Sequence, residues 1–260
     1  MIVVEVKPLL KTCWHQNTPY NSKFHFAPAS DKDMAGEQRP AGCTTIAAAQ
    51  ILTYLQRTDL KSAFGINETT WQEIEEFTVE KRDYFYNYSS TDSSYNRVRN
   101  DISTMVLKIA DGIGVEYNFN GSGGTFALPS QVKKYFKRLG YNVEKFVGFD
   151  DDAQNAMLES LKYNNPVFMG ALDPECNGHA WVIDGCRRHE NVNKYYWHCN
   201  FGWGGKCNGW FYDDLFDETQ AESFDYGSYR NRNGDRDDDN NKNNNIPFNY
   251  SWAFRILIIE

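Results

Sequence analysis

The apolar pattern of this chain changes period near residue 166, and that change bounds what it can fold into. Before it, apolar residues recur at three- and four-residue spacing. Val98, Ile102, Met105, Val106 and Ile109 predict a helix over 96–112, with Gly112 as its stop. The run Ala47-Ala48-Ala49-Gln50-Ile51-Leu52 predicts a buried helix within 42–55. Shorter helices are expected at 129–139, ended by Gly140, and at 150–162, capped by Asp150. After residue 166, β-branched and aromatic runs predict strands at 167–169, 180–183, 195–198, 210–212 and 254–258. Helices first and antiparallel strands later is the pattern of an α+β chain.

A chain of 260 residues can bury one sizeable core, so a single domain over 1–260 is expected. Residues 12–39, rich in Asn, Pro, Ser and Asp, read as an extended arm. Residues 230–245 are Asn-, Asp- and Arg-rich with almost nothing to bury, which predicts a mobile low-complexity loop over 225–249. Asp235, Asp237 and Asp239 in it have the spacing of a calcium loop, but Asn240 and Ile246 stand where that loop needs Gly and Glu.

A formal charge of −8 argues against nucleic-acid or anionic-membrane partners, which favour a basic face. No apolar run reaches the ~20 residues needed to span a bilayer. The start, Met1-Ile2-Val3-Val4-Glu5-Val6, has no basic segment and no signal-peptide core, so a cytosolic protein, or one whose targeting segment is missing, is expected. The six cysteines lack paired CxxC spacing, and neither a metal nor a cofactor is expected.

Four places carry residues suited to nucleophilic catalysis. Cys43 follows Pro40-Ala41-Gly42 where the Ala-rich helix begins, so its thiolate would feel the helix dipole and unpaired N–H groups. His179 opens a strand directly after Asn177-Gly178, held by the sheet yet facing a cleft, a good mount for a base. A hairpin of 179–186 with 194–200 would bring Asn200 near His179, where its amide oxygen can orient the imidazole, and Trp203 can shield the pair from water. Gln16, in the arm, can donate to an oxyanion together with the Cys43 N–H. Taken singly, each also reads as structural: a buried thiol, a surface histidine, a Gly-rich turn, a polar loop residue.

Together these pieces resemble the C10 cysteine peptidases, the streptopain family of secreted bacterial proteases. Trp14-His15-Gln16 with Pro19-Tyr20-Asn21 is similar to the family's opening motif, and Gly42-Cys43 with Ala47 to Gln50, Ile51 and Tyr54 to its nucleophile helix. Gly178-His179-Ala180-Trp181-Val182-Ile183-Asp184-Gly185 resembles the histidine motif, and Asn200 to Gly205 with Asn208-Gly209 the Trp-Gly-rich segment that follows it. Phe201 departs from the pattern, standing where the family usually has a tryptophan, and the 230–245 tract stands in for a glycine-rich loop.

The resemblance implies a papain-like fold, a helical half with Cys43 and a β half with His179. It implies Gln16 as oxyanion donor and, through Gly121-Ser122-Gly123, makes Ser122 and Gly178 candidate substrate contacts. It further implies protein or peptide substrates, secretion, an inhibitory pro-segment in the precursor, and a monomeric mature catalytic domain. A cysteine amidase cutting cell-wall peptides, a catalytically weak binding module, and a zinc protein built from Cys176, His179, Cys199 and Cys207 are the competing readings.

Overall fold

The computed structural model describes residues 1–31, 34–77, 92–118, 124–217 and 249–260. Its β half is a seven-stranded sheet whose central strand is covered on both faces. The strands are β1 (Ile2–Val6), β4 (Val143–Val147), β5 (Val167–Leu172), β6 (Gly178–His189), β7 (Tyr196–Asn200), β8 (Gly209–Tyr212) and β11 (Trp252–Ile259). Their order is β4-β11-β5-β6-β7-β8, with β1 joining β6 beyond the end of β5, and every pairing is antiparallel. The pairs β2 (Glu116–Tyr117) with β3 (Thr125–Phe126), and β9 (Phe216–Asp217) with β10 (Asn249–Tyr250), stand apart from it.

The alternation along β6 divides the core. Ala180 and Val182 join Phe168, Leu257 and Ile259 against the helical half, whereas Trp181 and Ile183 face the opposite layer with Met169 and Ile256. Burial on both faces is why these strands read as continuous apolar runs. The helical half holds α1 (Cys43–Leu55), the short α2 (Lys61–Phe64) and α3 (Trp71–Glu75), α4 (Ser93–Ile113) and α5 (Pro129–Arg138). The other face is covered by α6 (Asp151–Lys162), whose Ala153, Met157 and Leu161 are buried against the sheet. Asp150 caps α6 as its sequence predicts, accepting from the Ala153 N–H at 2.9 Å.

The architecture is α+β, as the two-part pattern predicts, and papain-like, as the resemblance implies. One boundary moves for a physical reason. α4 runs past Gly112 to end on Gly114, which has φ 79° and closes the helix in the left-handed conformation. Gly112 lies inside the helix because the Tyr135 ring rests on it; a Cβ there would meet Tyr135 Cε2 at 2.3 Å. The expected loop over 225–249 falls almost wholly outside the described residues, as do Asp235, Asp237 and Asp239. No helix among the described residues is long and apolar enough to cross a membrane.

Candidate active site

Cys43 is the first residue of α1. The chain enters the helix through Gly42 at φ 84°, where an added Cβ would stand 3.0 Å from the Thr125 carbonyl oxygen, so glycine is the residue that fits. The Thr125 hydroxyl donates to the Pro40 carbonyl at 2.6 Å and the Thr44 hydroxyl to the Ala127 carbonyl at 3.3 Å, fixing one side of this entrance. On the other side the Ala41 N–H donates to the Gln16 carbonyl at 2.8 Å, which brings half-buried Gln16 next to the helix start.

His179 is the second residue of β6 and sits opposite Ala171 of β5. The loop before it is shaped by Asp173, whose carboxylate accepts from the Glu175 N–H (2.9 Å), the Asn177 N–H (2.8 Å) and the Asn177 side-chain amide (2.9 Å). The imidazole is 7% exposed and lies among aromatic rings, with Trp203 centred 4.6 Å away, Tyr250 5.4 Å, Phe201 5.9 Å and Trp181 6.1 Å. Its Nε2 lies 2.9 Å from the Phe201 carbonyl oxygen. A carbonyl only accepts, so Nε2 carries the hydrogen and, in the neutral ring, Nδ1 is the bare nitrogen able to take a proton.

Burial sets the charge states. It pulls the His179 pKa down to about 4, with the Phe201 carbonyl opposing the shift. It pushes the Cys43 thiol up, opposed by the Ala180 backbone, the Thr44 hydroxyl and the first-turn N–H groups of α1. Ala180 directly follows His179, so the nucleophile helix and the histidine strand meet at this sulfur. Cys43, Gly178 and His179 line one cleft of about 270 Å³.

One expected role changes. The β6–β7 register sets Asn200 opposite Val182, not His179, because the hairpin closes with Arg187 opposite Tyr196 and the bulge between Ile183 and Gly185 moves the ladder by only one residue. The Asn200 amide oxygen accepts from Gln50 Nε2 (3.3 Å) and the Gly202 N–H (3.2 Å), and its Nδ2 donates to the Thr12 carbonyl (2.7 Å). The imidazole is instead oriented by the Phe201 main-chain carbonyl. Asn200 holds that peptide by accepting its Gly202 N–H, and Asn208 holds the preceding peptide by accepting the Phe201 N–H at 3.0 Å. A phenylalanine at 201 therefore costs no hydrogen bond at the histidine, since the backbone supplies it.

Gln50 was missed by sequence reasoning. Fully buried two turns after Cys43, it donates to Asn200 and accepts from the Trp14 N–H (3.3 Å), tying the arm, the nucleophile helix and the turn behind His179 together. The available signal was a lone amide in an Ala-rich buried run. Ser122 lies outside the described residues. All six cysteines are free, and among the described residues no group of three or more His, Cys, Asp or Glu side chains is placed to hold a metal, so Cys176, His179, Cys199 and Cys207 form no zinc cluster.

Residues 14–211 match the model of the peptidase C10 family. Streptopain of Streptococcus pyogenes serotype M28 is 26% identical over 218 residues, covering 76% of this chain and 52% of that protein. The thiol protease/hemagglutinin PrtT of Porphyromonas gingivalis is 25% identical over 235 residues, covering 81% of this chain and 25% of that protein. The chain thus spans about half the length of the streptopain chains it matches. Among solved structures, active Prevotella intermedia interpain A cysteine protease superposes with a TM-score of 0.64 at 18% identity, covering 98% of this chain and 95% of that one. A prointerpain A fragment from the same organism gives 0.54 at 20% identity, covering 81% and 66%.

Proposed function

The chain belongs to the peptidase C10 family, and from that premise we propose that it is a secreted cysteine endopeptidase with Cys43 as nucleophile and His179 as general base. The observation that carries the reading is the shared cleft: Cys43 at a helix N-terminus and His179 at a strand mouth line it together, with the imidazole hydrogen directed to the Phe201 carbonyl and Nδ1 left as the proton acceptor.

In the reaction, the Cys43 proton passes to His179 Nδ1 as the sulfur attacks a peptide carbonyl carbon. Burial disfavours a lone thiolate or a lone imidazolium, so the two charges form together and offset one another. The Phe201 carbonyl, accepting from Nε2, stabilises the imidazolium. The Cys43 N–H and the Gln16 side chain receive the oxyanion, each donor contributing on the order of 10²–10³ in kcat. His179 returns its proton to the leaving amine, and water hydrolyses the thioester. Trp203, packed on the imidazole, keeps bulk water from it, and Gly178 gives the substrate backbone room at the cleft wall. A precursor with an inhibitory pro-segment and a monomeric mature enzyme complete the proposal.

Hydrolysis of casein and of fluorogenic peptides by the wild-type chain, lost in Cys43→Ala and His179→Ala, tests this reading. Activity on purified peptidoglycan with none on casein would replace it with a cell-wall amidase. Binding without turnover of either would leave a binding module.

A further inference from the structure

The cleft holds two cations that no carboxylate neutralises among the described residues. Arg255 of β11 stands opposite Gly170 of β5 and Val147 of β4, and Gly170 stands opposite Ala180 of β6. Directly paired residues share a face, so Ala180, Gly170 and Arg255 form a row on the side of the sheet turned toward α1. Lys145, two residues from Val147 on β4, is on the same face. Both Lys145 and Arg255 are half-buried and line the cleft with Cys43 and His179.

Spacing puts them within reach of a bound peptide. The Ala180 backbone reaches the Cys43 sulfur, and two strand spacings carry the row about 10 Å from there to Arg255. Gly170, between them, adds no side chain of its own, and the Pro129 ring packed over it (Cγ 3.3 Å from where a Cβ would stand) forms part of the cleft lining. An extended peptide advances about 3.4 Å per residue, so a side chain one or two residues from the reacting carbonyl covers the distance.

Ala127, Leu128, Ala171 and Leu172 line the same cleft, and its other polar groups near the cations are the uncharged hydroxyls of Thr44, Thr125 and Ser130. Arg255 Nη1 donates to the Ala253 (3.1 Å) and Phe254 (2.9 Å) carbonyls, which hold the guanidinium in place without cancelling its charge. The chain as a whole carries −8, so the sign of these two cleft cations is opposite to its net charge.

We infer that the cleft selects peptides bearing Asp or Glu within two residues of the cleaved bond, the carboxylate being held by Arg255 and Lys145. This rests on the peptidase reading and names its substrate class. The test compares matched fluorogenic peptides that carry Glu, Gln or Lys at those positions. The kcat/KM for Glu is expected to exceed that for Gln by about tenfold, as suits a half-buried charge pair, and to shrink as the Debye length drops to about 3 Å in 1 M salt. Arg255→Glu should reverse the order, so that the Lys peptide is cut faster than the Glu peptide. Ratios taken within one variant cancel any general loss of folded enzyme. Cleavage of Glu and Gln peptides at equal rates, or an Arg255→Glu variant with unchanged order, overturns the inference while leaving the peptidase reading intact. Failure to cut any of the peptides, with no reaction of Cys43 toward an epoxide inhibitor, overturns both.

Discussion

Replacing Gln50 by Leu removes the two hydrogen bonds that join three parts of the site while leaving the packed volume of α1 nearly unchanged. The Trp14 N–H loses its partner in a position where Trp14 is only 1% exposed, and Asn200 keeps the Gly202 N–H but loses Gln50. An unsatisfied buried donor costs about 1–3 kcal/mol, and the second bond adds about 1 kcal/mol. A loss of about 2–4 kcal/mol, at a urea slope of about 2–3 kcal/mol/M, lowers the unfolding midpoint by roughly 1–2 M. The same change loosens the arm that carries Gln16 and the turn that presents the Phe201 carbonyl. Displacements near 1 Å cost up to about 10²-fold, so kcat/KM is expected to fall between ten- and a hundredfold under conditions where the variant is fully folded. Urea unfolding followed by tryptophan fluorescence, paired with peptide hydrolysis at low denaturant, reads both numbers. A midpoint within 0.2 M of wild type (on the order of the fitting error) together with normal kcat/KM refutes the tether.

Three further outcomes are expected. Gly42→Ala forces a side chain into a conformation that costs about 1–3 kcal/mol and presses on Thr125, so it should lower the thermal midpoint and displace Cys43; a fully active, equally stable variant would contradict this. Trp203→Ala opens the imidazole to water, so the His179 pKa, read by NMR titration, should rise from about 4 toward 6.5, and an unmoved value would show that Trp203 is not what keeps the ring dry. His15 and His179 are both held near 4 by burial, below the 6.5 they have when unfolded. Unfolded imidazoles therefore bind protons first, stability is intact above pH 6.5, and it falls between 6.5 and 4 by on the order of 3 kcal/mol per residue. Denaturation curves across that window check the sign, and constant stability from pH 7 to 4 would refute it.

What the sequence made legible were features that side chains announce. Gly42-Cys43 before an Ala-rich run marked a helix start, and α1 begins on Cys43. The alternation of Ala180, Trp181, Val182 and Ile183 marked a strand buried on both faces. What stayed hidden is carried by the main chain or by register. A backbone carbonyl has no residue signature, so the sequence offers the Asn200 side chain as one candidate to orient His179, whereas the hydrogen-bond partner is the carbonyl of Phe201. The register that sets Asn200 opposite Val182 comes from where the β6–β7 hairpin closes, with Arg187 opposite Tyr196, and the local pattern does not fix that closure. Gly112 looked like a helix stop because glycine serves two ends, closing a helix or admitting a neighbouring ring, and only Tyr135 decides which. The cations of the cleft come from β4 and β11, far apart in sequence, and became neighbours only through sheet order.

The central claim is that Cys43, of six free cysteines, is the nucleophile. Exposure alone would favour Cys176, which is the exposed thiol, whereas the proposed mechanism makes Cys43 reactive through His179 in the shared cleft. Labelling the folded chain with an epoxide inhibitor of papain-like enzymes, followed by peptide mapping, separates the two. One equivalent of adduct on Cys43, lost in His179→Ala, is the predicted result. Adduct on Cys13, Cys176 or Cys207 with Cys43 untouched contradicts it.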